Sequence, residues 1–206
     1  AIRLGQAGDV DAILVHSKVA EEAFVAAGYG MHRREIMYND FIIIGPSADP
    51  AGVVAAKTVI DAFQRIAVNQ STFISRGDDS GTHKKELSLW SAAQLDPATF
   101  VFWYKSVGAG MGASLNSASA MDGYIMSDRA SWLNFGNKGN LKLLFAGDSK
   151  LFNQYAYLPV SPDRYAHVKA RAAQALENWL VSPRAKQIIN SYKIGGEALF
   201  VFNARP

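Results

Sequence analysis

The chain has 206 residues, of which 49% are hydrophobic and 19% are charged, and this composition suits one large globular domain or two smaller lobes. No apolar run approaches the about 20 residues that a membrane helix needs, and the absence of cysteine excludes disulfides, thiol catalysis and cysteine-based zinc sites. The net charge of +3 comes from scattered Lys and Arg, which favours a small anionic ligand over nucleic acid.

Strand and helix patterns alternate from the first residues to about Leu95. The predicted strands cover residues 9–17, 41–45 and 71–76, and the predicted helices cover residues 17–28, 53–67 and 83–95. The second strand, FIIIG, is apolar throughout, which is typical of a strand covered on both faces. Ser17 opens the first helix, Gly28 ends it, and Asp96-Pro97 stops the third.

The alternation continues in the second half of the chain. An apolar stretch precedes the glycine-rich segment 108–112, and the later predictions are a short helix to about Met121, strands at 123–128 and 141–145, an extended segment at 155–160, a helix from Asp163 to about Val181 and a short helix after Pro183. This order predicts an α/β fold. The segments FIIIGP and YAYLPVSP are interpreted as two crossovers between lobes. Lobe I then contains residues 1–44 and 157–206, and lobe II contains residues 45–156.

The segment SRGDDSGTH, residues 75–83, is the strongest candidate for a ligand site because it is a polar turn between a strand and a helix. Ser80, Gly81 and Thr82 place free backbone N–H groups at a helix start, where the helix dipole favours an anion. Arg76 adds a permanently charged fork that suits a tetrahedral oxyanion. The alternative is an ordinary capped helix in which Arg76 pairs with Asp78.

Two further segments have competing interpretations. Ser17 is either a simple helix N-cap or a ligand group at the carboxyl end of a strand, where open α/β sheets bind ligands. The segment GAGMGA, residues 108–113, fits the dinucleotide pattern G-x-G-x-x-A with Asp128 as the acidic residue. The short helix after it and the limited chain length favour a plain turn or a second amide-lined helix start instead.

Catalysis has little support in the sequence. The four histidines are isolated, no metal-binding H-E-x-x-H pattern occurs, and nothing resembles a G-x-S-x-G nucleophile segment. Neither an enzymatic activity nor a metal cation nor a cofactor is therefore expected.

The segments GQAGDVDAILVHS, YNDFIIIGP, SRGDDSGTH, GAGMG and DGYIMSDRASWL, with the tail WLVSP…Y…GGEALF, resemble the tungstate-binding protein of tungstate ABC transporters over essentially the whole chain. The resemblance implies a type II periplasmic binding fold: two lobes, each a mixed sheet flanked by helices, joined by two crossover segments. It also implies a monomer, periplasmic or lipid-anchored outside the cytoplasm, that delivers tungstate or molybdate to a permease subunit and has no nucleic-acid partner.

The same resemblance implies a set of ligand residues that combines both lobes. Arg76 becomes the charged ligand and Ser17 the hydroxyl ligand at the first helix start of lobe I. The donors of lobe II become Ser80, Gly81, Thr82, Met111 and Gly112. Members of the family begin with a strand that ends in a Thr/Ser-rich turn, whereas this sequence starts after it, so lobe I is expected to lack its first strand and helix.

Three rival functions remain at this point. A phosphate receptor is the first, because R-x-D-x-SGT also resembles the anion loop of phosphate-binding proteins. Monohydrogen phosphate needs a carboxylate acceptor for its proton, so Asp78 or Asp79 pointing towards the ligand would favour it. The second rival is an enzyme acting on a phosphorylated small molecule, and the third is the ligand-sensing domain of a transcriptional regulator.

Overall fold

The computed structural model of the protein describes residues 1–205. Its helices are α1 (Ile2–Ala7), α2 (Lys18–Ala26), α3 (Val59–Val68), α4 (Gly81–Ala92), α5 (Met111–Met121), α6 (Arg129–Asn134), α7 (Ala170–Leu180) and α8 (Pro183–Ser191). Its strands are β1 (Ala12–Val15), β2 (Arg34–Pro46), β3 (Phe73–Ser75), β4 (Tyr104–Ser106), β5 (Tyr124–Asp128), β6 (Leu141–Phe145), β7 (Phe152–Pro159), β8 (Lys193–Ile194), β9 (Glu197–Ala198) and β10 (Val201–Phe202). Within residues 1–205, no helix is long and apolar enough to cross a membrane.

The chain divides into two compact units. Unit 1 contains Ala1–Asn39 and the chain from Asn153 onward, and unit 2 contains Asp40–Phe152. The sequence predicted lobe boundaries after residues 44 and 156. The boundaries between the two units lie five and four residues earlier, after Asn39 and Phe152. The apolar run FIIIG marks only the second half of β2, which begins at Arg34 and changes unit after Asn39.

In unit 1 a small β-sheet packs against helix α2. Strand β1 pairs antiparallel with β7, and β10 pairs antiparallel with the first half of β2. Its core lies between this sheet and helix α2, where Phe24 is fully buried against residues of the strands. The other core residues are Ile13, Ala156, Leu158, Val160 and Val168.

Unit 2 contains a mixed sheet in the order β6-β2-β5-β3-β4. Alternate residues of β2 enter different cores, because side chains of a strand point to opposite faces. Phe41 and Ile43 pack with α3 and α4, whereas Ile42 and Ile44 pack with α5 and α6. The prediction that FIIIG is covered on both faces is therefore confirmed.

Two predicted helices begin later than expected. The helix expected from residue 53 begins only at Val59, because Thr58 caps it by accepting the Asp61 N–H at 3.1 Å. The helix expected from Asp163 begins at Ala170. The preceding turn is held to unit 1 instead: the Tyr165 hydroxyl donates to the Gln6 carbonyl, and His167 Nε2 lies 2.9 Å from the Gly8 carbonyl oxygen.

Candidate functional site

Three helices of unit 2 begin at the same edge of its sheet. Strand β3 is parallel to both of its neighbours, β4 and β5, so the carboxyl ends of all three strands meet at one edge. Each strand leads into a helix: β3 into α4, β4 into α5 and β5 into α6. This edge is where open α/β sheets bind their ligands.

The three helix starts differ in whether the protein itself satisfies their N–H groups. The Asp128 carboxylate occupies the start of α6, where it accepts the Ser131 N–H at 2.8 Å. At α4 the Ser80 hydroxyl accepts the His83 N–H at 3.3 Å. The N-cap of α5 is Gly110, which offers no side-chain acceptor. The first N–H groups of α5, and those of Gly81 and Thr82 in α4, therefore remain available to an external anion.

The two loops that precede α4 and α5 lie side by side. The Ala109 N–H donates to the Arg76 carbonyl at 3.1 Å, and the Val107 N–H donates to the Ser75 carbonyl at 3.1 Å. Gly77 has a φ of +60°, and a Cβ placed there would lie 1.8 Å from Ser106 Oγ. The close approach of the loops therefore requires a residue without a side chain at this position.

Arg76 has both an internal partner and an unused donor. Its Nη2 donates to Asp78 Oδ2 at 2.5 Å, and the side chain is 17% exposed. Its Nε has no exposed surface and no hydrogen-bond partner within residues 1–205. The ion pair of the plain capped-helix interpretation is thus present, and the Nε–H of this mostly buried guanidinium remains unpaired.

The two aspartates of the loop are already engaged. Asp78 also accepts the Ser80 N–H at 3.3 Å, and hydrogen bonding from Ser80 together with Arg76 holds the pKa of Asp78 at about 2. The Asp79 side chain is 86% exposed and lies 3.3 Å from Lys84 Nζ. Both carboxyl groups of the loop therefore already have protein partners.

The remaining residues predicted in unit 2 lie at the same sheet edge. Thr82 is half-buried in the first turn of α4, and its hydroxyl has no hydrogen-bond partner within the described part of the chain. The Met111 side chain is buried in the core, so this residue offers only its backbone N–H. Gly112 is exposed, and no atom lies within 4 Å of the position of a Cβ there. The fold thus brings Arg76 and these donors to one edge.

Ser17 lies in unit 1, between the end of β1 and the start of α2. It occupies the N-cap position, but its side chain makes no capping hydrogen bond. Its backbone N–H donates instead to Glu21 Oε1 at 2.5 Å. The simple N-cap interpretation of Ser17 is therefore wrong, and its exposed hydroxyl is uncommitted.

The dinucleotide interpretation of residues 108–113 is also wrong. Such a site needs adjacent parallel strands joined by the glycine-rich turn and helix, whereas β3 separates β4 from β5. Asp128, the required acidic residue, caps α6. The chain from 1 to 205 also contains no group of three or more His, Asp or Glu side chains that could hold a metal ion.

Sequence inspection missed the partners of Ser17. Glu21 was seen only as an acidic residue early in a helix, yet it is fully buried and binds both Ser17 and Arg33. A glutamate four residues after a Ser that opens a helix could have indicated this contact. Arg33 is distant in sequence, so no local pattern could reveal it.

Known proteins with similar sequences and folds agree with this geometry. A family model described as a PBP superfamily domain matches residues 1–184. The tungstate-binding protein TupA of Peptoclostridium acidaminophilum is 42% identical over an aligned length of 208 residues, and the alignment covers 99% of this chain and 72% of that protein. A putative ABC transporter anion-binding protein of Haloferax volcanii is 41% identical over 99% of this chain, which spans only 60% of that relative.

A solved structure shows the same similarity in three dimensions. The tungstate-binding protein TupA from Desulfovibrio alaskensis G20 is 44% identical and superimposes with a TM-score of 0.95 over 100% of this chain and 83% of that chain. The protein is therefore a member of the PBP superfamily, with the two-lobed periplasmic-binding fold expected from the sequence. Within that superfamily it belongs to the TupA family, which consists of solute-binding proteins and not of enzymes.

Proposed function

We propose that the protein binds tungstate, with molybdate as the nearest alternative, and delivers it to an ABC importer. The observation that carries this proposal is the donor set at the sheet edge of unit 2. It combines the charged Arg76 side chain, which is 17% exposed, with the open N–H groups at the starts of α4 and α5, and its two nearby carboxylates already have protein partners.

Each predicted ligand residue has a distinct role in this proposal. Arg76 supplies the charge that opposes the dianion, and its planar group suits tetrahedral oxygens. Thr82 supplies a hydroxyl and a backbone N–H, and Ser80 keeps the N-terminus of α4 in place. Gly81, Met111 and Gly112 supply backbone N–H groups. Ser17 adds the uncommitted hydroxyl of unit 1, in line with the family resemblance.

The donor set favours tungstate over phosphate. Tungstate is fully deprotonated near neutral pH and accepts hydrogen bonds at every oxygen. Monohydrogen phosphate brings one O–H group, which needs an acceptor, and leaving it unpaired in a buried site costs about 1–3 kcal/mol. Asp78 and Asp79 already have protein partners, and the similar proteins with a stated ligand bind tungstate, so tungstate is favoured over the phosphate-receptor alternative.

The cellular setting follows from the proposed role. The relatives with similar sequences include a protein described as an ABC transporter anion-binding protein. We therefore propose an extracytoplasmic protein, periplasmic or lipid-anchored, that acts as a monomer and docks on the permease subunit of its transporter.

Isothermal titration calorimetry of the full-length protein with tungstate, molybdate, sulfate and phosphate tests the proposal. Tungstate should bind more tightly than sulfate and phosphate, and at least as tightly as molybdate. Sulfate should bind weakly with little change between pH 6 and 8, because it carries no proton and is smaller. Phosphate should bind poorly at neutral pH. Tight phosphate binding at pH 7 would show that a carboxyl group accepts its proton, and the tungstate assignment would then be rejected.

A further inference from the structure

Glu21 is a completely buried carboxylate at the start of α2, in unit 1. Its Oε1 accepts the Ser17 N–H at 2.5 Å, and its Oε2 accepts the Arg33 Nε–H at 2.7 Å. Arg33 is itself mostly buried, and its Nη1 donates to Glu35 Oε1 at 2.9 Å. Two oxygens of one carboxylate thus fix two different N–H donors.

This arrangement changes what the Ser17 side chain is free to do. An N-cap serine normally accepts an N–H of the first helical turn through its hydroxyl. In α2 that capping bond is absent, and Glu21 holds the Ser17 backbone from inside the helix instead. The backbone at Ser17 is therefore fixed while the hydroxyl stays available as a donor.

Charge balance is the second consequence of the contact. A buried carboxylate four residues from an anion ligand would repel a dianion if it stood alone, because charges interact strongly where water is excluded. Arg33 binds the second carboxylate oxygen of Glu21 and provides a compensating charge. This ion pair reduces the repulsion.

We propose that Glu21 is a positioning residue for anion binding: it orients Ser17 so that the hydroxyl points free of the helix, and Arg33 neutralises it. This inference rests on the proposed function, because it assumes that Ser17 contacts the bound anion. Glu21 itself does not contact the ligand.

Glu21→Gln tests the positioning role with a minimal change in shape. A glutamine has one acceptor oxygen and one donor nitrogen, so it cannot keep both bonds, because Ser17 and Arg33 donate to different oxygens of Glu21. The variant should bind tungstate about tenfold more weakly, as expected for one lost hydrogen bond that involves a charged group. The Ser17 amide hydrogen, followed by NMR in the absence of ligand, should exchange faster than in the wild type.

Glu21→Gln combined with Arg33→Met provides the rescue. Methionine offers no N–H donor, so the glutamine oxygen can turn towards Ser17 and restore the bond. The double variant should recover tungstate affinity to within about threefold of the wild type, together with slow exchange at Ser17. A purely structural role predicts instead that the tungstate affinities of both variants follow their melting temperatures and not the exchange rate at Ser17.

The matched control is Arg65→Met, which removes the partner of Asp61 in an exposed ion pair of unit 2 and should leave affinity unchanged. If Glu21→Gln binds tungstate with wild-type affinity, or if the Ser17 amide hydrogen exchanges at the wild-type rate, the inference about Glu21 is overturned while the proposed function stands. A double variant as weak as Glu21→Gln would also overturn it. If the wild type binds no tungstate at all, the proposed function fails and the inference fails with it.

Discussion

The starts of α2 in unit 1 and α4 in unit 2 share a local pattern but satisfy it differently. Each helix follows a strand, has a serine at its N-cap and carries a buried glutamate further along. Glu21 accepts from Ser17 and Arg33 through two different oxygens. Glu86 accepts from the Tyr104 hydroxyl at 2.7 Å and the Trp90 indole N–H at 3.2 Å, both through Oε1.

The difference shows two ways in which a fold can bury a carboxyl group. In unit 1 a guanidinium offsets the charge. In unit 2 the hydrogen-bond partners of Glu86 are neutral, and burial raises the pKa of Glu86 above its usual value. The same substitution, glutamate to glutamine, should therefore damage unit 1 and be tolerated in unit 2, because a single amide oxygen can keep both bonds of Glu86.

The largest expected effect tests whether unit 2 dominates anion binding. Arg76→Ala removes the charged ligand and should weaken tungstate binding by about 2–5 kcal/mol, since a desolvated anion loses a charge-assisted contact. Calorimetry against the wild type measures the loss, with Arg65→Ala as the control for removing an exposed arginine. Binding within threefold of the wild type would reject Arg76 as the main ligand.

The next effect tests the tight loop of unit 2 at Gly77. Gly77→Ala introduces a Cβ at a φ of +60°, 1.8 Å from Ser106 Oγ, and should lower the free energy of unfolding by about 1–3 kcal/mol. Urea denaturation measures this change. Gly108→Ala is the matched control, because Gly108 also has a positive φ but no atom lies within 4 Å of its Cβ position.

Gly77→Ala should lower the free energy of unfolding more than Gly108→Ala does. The difference between the two variants should equal the contribution of the steric clash. Ser106→Gly in the Gly77→Ala background should recover part of the loss, because it removes the clashing hydroxymethyl group. Equal destabilisation by the two alanine variants would mean that the two loops can separate at no cost.

A smaller effect separates the two N-cap serines. Ser80→Ala removes the acceptor for the His83 N–H and should lower the free energy of unfolding by about 1 kcal/mol. Ser17→Ala removes no capping bond, so thermal unfolding should change little while tungstate affinity falls. If Ser17→Ala destabilises as much as Ser80→Ala, its hydroxyl is a cap and not a ligand.

The smallest expected effect is a change in the pH dependence of stability. Because the folded-state pKa of Glu86 is raised, stability is fully present below the unfolded pKa of Glu86 and falls as pH rises through the folded value. Glu86→Gln removes this loss. The difference in melting temperature between variant and wild type should grow in favour of the variant as pH increases from about 4.5.

Glu22→Gln is the control for the pH series, since Glu22 is exposed and its carboxylate lies 3.8 Å from Lys18 Nζ. Its melting temperature should follow the wild type throughout. A constant offset for Glu86→Gln at every pH would contradict a raised pKa and would point to a packing effect instead.

Local sequence patterns predicted the elements that build the site. Three of these features can be recognised from a short segment of sequence. They are the continuous apolar run FIIIG, the cap residues of the polar turn before α4, and the glycines before α5. The start of α4 was predicted two residues late, at residue 83, whereas the helix begins at Gly81 directly after its N-cap Ser80. These features do not depend on which distant residues fold against them.

The remaining features depend on contacts between distant residues, which one sequence does not display. Tyr165 and His167 are held by residues 6 and 8, and this long-range anchoring replaced the first turns of a helix expected from residue 163. The partnership of Glu21 with Arg33 has the same origin. The ligand roles of Ser17, Arg76, Thr82 and Gly112 stay predictions until binding is measured.

The position of Trp90 gives the protein a built-in optical probe. Its ring is fully buried and packs edge-on to Phe63 at 4.4 Å and to Phe73 at 5.1 Å. Its indole N–H is bonded to Glu86, on the helix whose first turn carries Thr82. Fluorescence from a buried indole is emitted at short wavelength and responds to the charge beside it. Once the other three tryptophans are replaced by phenylalanine, Trp90 emission should therefore report the ionisation of Glu86 without an added label.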